Sequence, residues 1–141
     1  MAEYDRSLYA TYLQQVPMLG SCSEEELDHI AELGVAFRAP AGKQIVRQGE
    51  PGDQFFVILD GAVEVNRDGQ SVTELGPGDY FGELALFDPG PRNATITTTS
   101  PTTVVSVSRN TFWELLGEVS SLRDALLAGM AKRLHELEGR A

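Results

Sequence analysis

QFFVILDGAVEVNRDGQSVTEL, residues 54–75, sets short apolar runs between two Asp-Gly pairs. The runs FFVIL, VEV and SVTEL are rich in β-branched and aromatic side chains, which suit a pleated, half-buried surface. Asp60-Gly61 and Asp68-Gly69 are the pairs that supply the positive φ angles tight hairpins require. The same texture continues on both sides. VAF from Val35, QIVRQ from Gln44, TITT from Thr95 and TTVVSVS from Thr102 are separated by APAG, GEPGD, GPGD and DPGP. Many short strands between turn signals predict an antiparallel sandwich or barrel over about 35–108, not a parallel sheet.

The flanks change period. In the stretch Tyr4–Val16, Leu8, Tyr12 and Val16 recur at i, i+4 and predict a helix. SEEELDHIAELG begins a second one: Ser23 can cap the free amides, Glu26 can reach back, and Gly34 is placed to end it. The run Glu24, Glu25, Glu26 reads as a solvated first turn that complements the helix dipole. After the β-rich region, Leu122, Leu126, Met130, Leu134 and Leu137 form one helical stripe. Gly117 and Ser120-Ser121 mark a break between a short and a longer helix, with Asp124 completing a second capping box. The class is therefore mainly β with flanking helices. No internal repeat or low-complexity segment interrupts this order.

Length and charge narrow the role. At 141 residues the chain fits a single domain, 1–141, with N-terminal helices over 1–34, a β-rich region over 35–108 and C-terminal helices over 110–138. A net charge of −10 and a pI near 4.5 argue against a nucleic-acid polymer as partner, since phosphate contacts need a basic face. No apolar run approaches the roughly 20 residues that span a bilayer, so no membrane role is expected of this chain. The N-terminus lacks the basic and apolar regions of a secretion signal. The single cysteine, Cys22, cannot close an internal disulfide and suits a reducing, cytoplasmic compartment. His29 and His135 are far apart with no metal-ligand spacing, so no metal is expected. One cysteine excludes a multi-cysteine iron–sulfur site. No nucleophile–base arrangement stands out, and no catalysis is expected.

FGELALFDPGPRNATIT, residues 81–97, then poses a question. A lone acid, Glu83, and a lone base, Arg92, sit in apolar surroundings on either side of a proline- and glycine-rich turn. Three readings are open: a structural salt bridge, two unrelated surface charges, or a built site for an anionic ligand.

Two longer stretches bear on that choice. RQGEPGDQFFVILDGAVEV, and GPGDYFGELALF followed by PRNAT, resemble the cyclic nucleotide-binding domain family, the second matching its phosphate-binding cassette, here residues 81–95. The likeness runs from about Pro17 to Leu137. It implies an antiparallel, jelly-roll-like β-roll with N-terminal helices, a short cassette helix and two C-terminal helices. It also implies a cyclic nucleotide sensor with no cofactor, binding cAMP or, as the alternative, cGMP.

The chemistry of such a ligand asks for these residues. Arg92 offers a charge-assisted fork to the phosphate, and amides of Gly82, Glu83, Leu84 and Ala85 would point at the same anion. Gly82 lets the backbone approach closely. Glu83, an acceptor only, suits the ribose 2′-hydroxyl, and its nearness to Arg92 would keep both charges paired in an empty site. Phe81, Leu84, Leu86 and Ala94 would hold the cassette against the roll. Asn93 follows the cassette Arg where relatives usually carry Ala, Ser or Thr; the lack of Thr or Ser there favours cAMP. The resemblance further implies a lid from the last helix, with Arg133, Leu134 and Leu137 at the purine and a hinge near 117–121. After Leu137 only EGRA remains, so no helix-turn-helix segment is seen. A free-standing sensor, or the sensor domain of a longer protein, acting on itself as a homodimer or on an effector, is the expected partner arrangement. A ligand-independent protein-interaction module on the same fold is the competing reading.

Overall fold

The computed structural model describes residues 5–138, without the side chains of residues 133 and 136–138. The described chain divides into two compact units: Gly34–Arg109, and Asp5–Leu33 together with residues 110–138.

The first unit holds the strands β1 (Val35–Ala39), β2 (Gln44–Val46), β3 (Pro51–Gly52), β4 (Gln54–Asp60), β5 (Val63–Arg67), β6 (Gln70–Leu75), β7 (Tyr80–Phe81), β8 (Gly90–Pro91), β9 (Thr95–Thr98) and β10 (Thr102–Ser108). They pair antiparallel into one sheet of order β1-β10-β4-β7, a second of order β2-β9-β5-β6, and the small pair β3-β8. This is the antiparallel architecture that the turn-punctuated runs predict, in the form of the β-roll that the family resemblance implies. The runs FFVIL, VEV, SVTEL, TITT and TTVVSVS fall within β4, β5, β6, β9 and β10. The pieces that no run marks, β3, β7 and β8, have two residues each and show no period.

Alternation explains the core. Residues two apart on a strand share a face. Phe56 and Ile58 of β4 and Val104 of β10 therefore meet Val63 and Val65 of β5 and Ile96 of β9 in one buried cluster, with Ala94 beside them. β4 is buried on both faces from Phe55 to Leu59, which is why its sequence is a continuous apolar run without alternating polar residues.

The two Asp-Gly pairs do different things. Asp68 and Gly69 both have positive φ, 55° and 82°, and close a two-residue hairpin between Arg67 and Gln70. Asp60-Gly61 was expected to do the same but does not. Only Gly61 is left-handed, at φ 93°, and it passes the chain from β4 in one sheet to β5 in the other. The corner is held by Thr102, whose hydroxyl accepts from the Ala62 N–H at 3.2 Å and donates to a backbone carbonyl. A side chain at Gly61 would stand 2.5 Å from the Pro101 carbonyl oxygen.

The second unit contains α1 (Arg6–Leu13), a short 3₁₀ turn at Pro17–Leu19, α2 (Glu24–Glu32), α3 (Arg109–Glu118) and α4 (Ser120–Glu138). The capping box on α2 is complete: Glu26 N–H donates to Ser23 Oγ at 3.1 Å and Ser23 N–H to Glu26 Oε1 at 2.7 Å. Gly34 lies beyond Leu33, which caps the helix in right-handed conformation, so no left-handed glycine ends it. The buried stripe near α1 is Tyr9, Leu13 and Val16, with Leu8 and Tyr12 only half-buried. The i, i+4 spacing marks Val16 correctly but selects the neighbouring face for the rest.

The expected stripe of α4 is buried at Leu122 and Leu126, half-buried at Met130 and exposed at Leu134. The break between α3 and α4 is the single residue Val119; Gly117 lies within α3, and Ser121 is already inside α4, which leaves it no capping role toward Asp124. Gly129 brings α4 close to the 3₁₀ turn, since a Cβ there would lie 2.6 Å from the Met18 carbonyl oxygen.

Candidate functional site

A cavity of about 580 Å³ opens in the roll between the residues after β7 and those before β9. Its lining includes all seven residues singled out from the sequence for ligand contact: Gly82, Glu83, Leu84, Ala85, Arg92, Asn93 and Ala94. Val65, Arg67, Phe81, Phe87 and Ile96 also line it and were not expected to. For Val65 and Ile96 the period-two pattern is a usable signal.

Arg92 is built into its wall. Its N–H donates to Glu50 O and its carbonyl accepts from Gly49, both at 2.8 Å, so its backbone is tied to the turn ahead of β3. The side chain donates from Nη2 to the Gln54 carbonyl at 2.9 Å, and its Cζ lies 5.7 Å from the centre of the Phe56 ring. Phe56 in turn stacks on Phe81, 4.8 Å between centroids. Two glycines make the passage. A Cβ on Gly52 would fall within 2.6 Å of the Arg92 Nε, Cζ and Nη2, and one on Gly82 would fall 2.7 Å from Nη1. Gly82 also has φ 81°, so it serves both conformation and close approach. Burial pulls the guanidinium below its ordinary pKa, with the Asp53 carboxylate acting against that shift.

The expected Glu83–Arg92 ion pair is not formed. Among the described residues the salt bridges are Arg38–Asp60 and Arg47–Glu50. Arg92 is turned to the Gln54 carbonyl and the Phe56 ring instead, and Glu83 is half-buried at the start of a 3₁₀ turn, Glu83–Leu86, capped by left-handed Gly82.

That turn corrects two further expectations. The Ala85 N–H is already donated to Gly82 O at 3.1 Å, so of the four expected amides it is not free. Leu84 is 65% exposed and does not anchor the cassette, because the tight turn buries Ala85 and Leu86 and leaves Leu84 outward. Phe81, Leu86 and Ala94 do pack inward. Asn93 is exposed, and its carbonyl accepts from Arg67 Nε at 3.0 Å. Of the lid residues, Leu134 is 59% exposed, while the side chains of Arg133 and Leu137 lie outside the described residues.

The family model for the cyclic nucleotide-binding domain matches residues 36–118. The chain belongs to that family. It is 36% identical over 119 residues to a cAMP-dependent protein kinase regulatory subunit of Emericella nidulans, covering 83% of this chain and 29% of that protein. This cyclic nucleotide-binding domain chain thus spans under a third of the length of that curated relative. It also resembles the N-terminal domain of a transcriptional regulator from Streptomyces coelicolor, with a TM-score of 0.84, 27% identity, and coverage of 92% of this chain and 94% of that one. The regulatory domain of Toxoplasma gondii PKA with cAMP is similar at TM-score 0.68 and 34% identity, covering 91% of this chain and 50% of that one.

Among the described residues no helix is long and apolar enough to cross a membrane, and no group of three or more His, Cys, Asp or Glu gathers to hold a metal.

Proposed function

We propose that the cavity binds a cyclic nucleotide, cAMP first, and that the chain is a regulatory sensor domain, not an enzyme. The observation that carries this is Arg92. Its guanidinium is half-buried against a ring and one carbonyl, and among the described residues it forms no salt bridge. A buried cation costs free energy unless it is paired and hydrogen-bonded, and a cyclic phosphate supplies both in one group. The Glu83 carboxylate, which makes no salt bridge among the described residues, is available to accept from the ribose 2′-hydroxyl. Glu83 and Leu84 carry the orphan N–H groups of the 3₁₀ turn, which suit the phosphate oxygens. Ala85 would join them only by releasing Gly82. Ala94 gives the floor, and Asn93 the edge. The relatives, a cAMP-dependent kinase regulatory subunit and a domain solved with cAMP, favour the same ligand.

The response belongs to the same proposal: cyclic nucleotide orders α4 from Arg123 to Glu138, with the hinge at the Val119 break. An effector protein, a further domain or a second copy receives the signal, and the setting is cytoplasmic. Isothermal titration with cAMP and cGMP tests the binding. Saturable uptake with cAMP the tighter is expected; no heat with either ligand on the folded chain would leave the ligand-independent interaction module. Hydrogen exchange tests the response. Slowed amides across α4 on saturation are expected, and unchanged exchange would separate binding from any helix movement.

A further inference from the structure

We infer that Arg67 reads the purine base and admits 6-oxopurine cyclic nucleotides, cGMP and inosine 3′,5′-cyclic monophosphate, beside cAMP; this rests on the binding reading above. β5 pairs with β9 without a register break from Val63 to Asn66. Its pairing with β6 shifts between Val65 and Asn66, but the extra residue there is Val72 of β6 and the pairing runs on to Arg67, so the faces of β5 alternate regularly. Val63 and Val65 on one face belong to the buried core. Arg67 continues that face, where a third apolar residue would be the simple choice, and it lines the cavity. The cavity is thus lined by two guanidinium groups in a chain of net charge −10.

The two cations are set differently. Arg92 is half-buried against Phe56 and meets the phosphate's need for a desolvated counter-charge. Arg67 is exposed at the end of its strand and is steadied by one bond, from Nε to Asn93 O at 3.0 Å. Its Nη groups have no acceptor among the described residues. Those remaining N–H groups are donors only, and a purine separates by what it offers them. Guanine and hypoxanthine present two acceptors, N7 and O6, on one edge; adenine presents N7 beside an amino donor. A guanidinium completes a two-bond contact with the first pair and meets a donor on the second. Asn93, the residue after the cassette Arg, enters through its backbone: its carbonyl sets the angle of the arginine that faces the base.

The test is competition binding of cAMP, cGMP and inosine 3′,5′-cyclic monophosphate to the full chain and to Arg67→Met, which keeps the stem and removes the donors, with thermal melting as the check on folding. The expected result is a loss of about tenfold for both 6-oxopurine ligands, a change below about threefold for cAMP, and an unaltered melting temperature. Equal losses for all three ligands would assign Arg67 to the phosphate or to holding the Asn93 loop, and would overturn the inference. Unchanged affinities, or a wild-type chain that binds cAMP but neither 6-oxopurine, would overturn it while leaving the cAMP reading standing. A folded wild-type chain that binds none of the three would overturn both.

Discussion

Arg92 and Arg67 line one cavity and show two ways of placing a cation. Arg92 is gripped from all sides: backbone bonds to residues 49 and 50, a carbonyl at its fork, a ring below it, and two glycines whose missing side chains leave it room. Arg67 hangs from a strand end on a single hydrogen bond. The first arrangement removes water and fixes direction, which suits a charged group bound the same way in every ligand. The second leaves freedom, which suits a base that varies. Rigidity in this cavity follows the invariant portion of the proposed ligand.

The contrast breaks most sharply at Arg92. Arg92→Ala should weaken cAMP binding by at least about thirtyfold, since an unpaired buried phosphate loses on the order of 2–5 kcal/mol. Titration calorimetry reads this directly, and near-normal affinity in a folded variant would remove Arg92 from the site. Glu83→Ala comes next. It should lose roughly 1.5–3 kcal/mol and erase most of the preference for cAMP over 2′-deoxy-cAMP; a variant that still discriminates as well as wild type would show that another group reads the sugar.

Gly52→Ala is subtler. The three heavy atoms nearest the new Cβ all belong to the Arg92 side chain, so that side chain must shift from its place at Gln54 and Phe56 while the backbone can stay. Affinity for cAMP should fall about tenfold with little change in melting temperature, and a large drop in melting temperature would mean that Gly52 serves the fold instead. The smallest effect is a control outside the cavity. Burial first, and the Glu26 carboxylate second, push the Cys22 thiol up to about 11 from an ordinary 9.0. A raised folded pKa keeps its stability whole below the ordinary value and loses it as pH climbs through the folded one. Melting temperature should therefore be flat up to about pH 8.5 and fall between about 9 and 11. Cys22→Ala should flatten that fall and leave cAMP affinity at pH 7 unchanged. A fall that persists in the variant would assign the titration to another group.

The amino-acid pattern carries the roll and the cassette far but unevenly. Strands with a full period, such as VEV and TTVVSVS, are legible because burial on one or both faces imposes a residue pattern over several positions. The cassette is legible because a charged pair stands out of an apolar run. Arg67 is not, although the alternation Val63, Val65, Arg67 is there to see; on a strand end a charge reads as ordinary surface until a cavity is known to lie beside it.

Local chemistry decided two of the short-range features. The Ser23–Glu26 capping box and the Asp68-Gly69 hairpin form as expected, because each depends on backbone groups three or four positions apart. Contacts that span the chain were decided only in three dimensions. Asp60-Gly61 turned from hairpin into corner because Thr102, 40 residues on, holds Ala62. Arg92 chose Gln54 and Phe56 over Glu83 because the β3-β8 pair and the turn at Gly49–Glu50 aim its side chain under two glycines. An amino-acid pattern states which groups need partners; which partner lies within hydrogen-bond reach depends on how separate strands are registered against one another, and no local spacing encodes that.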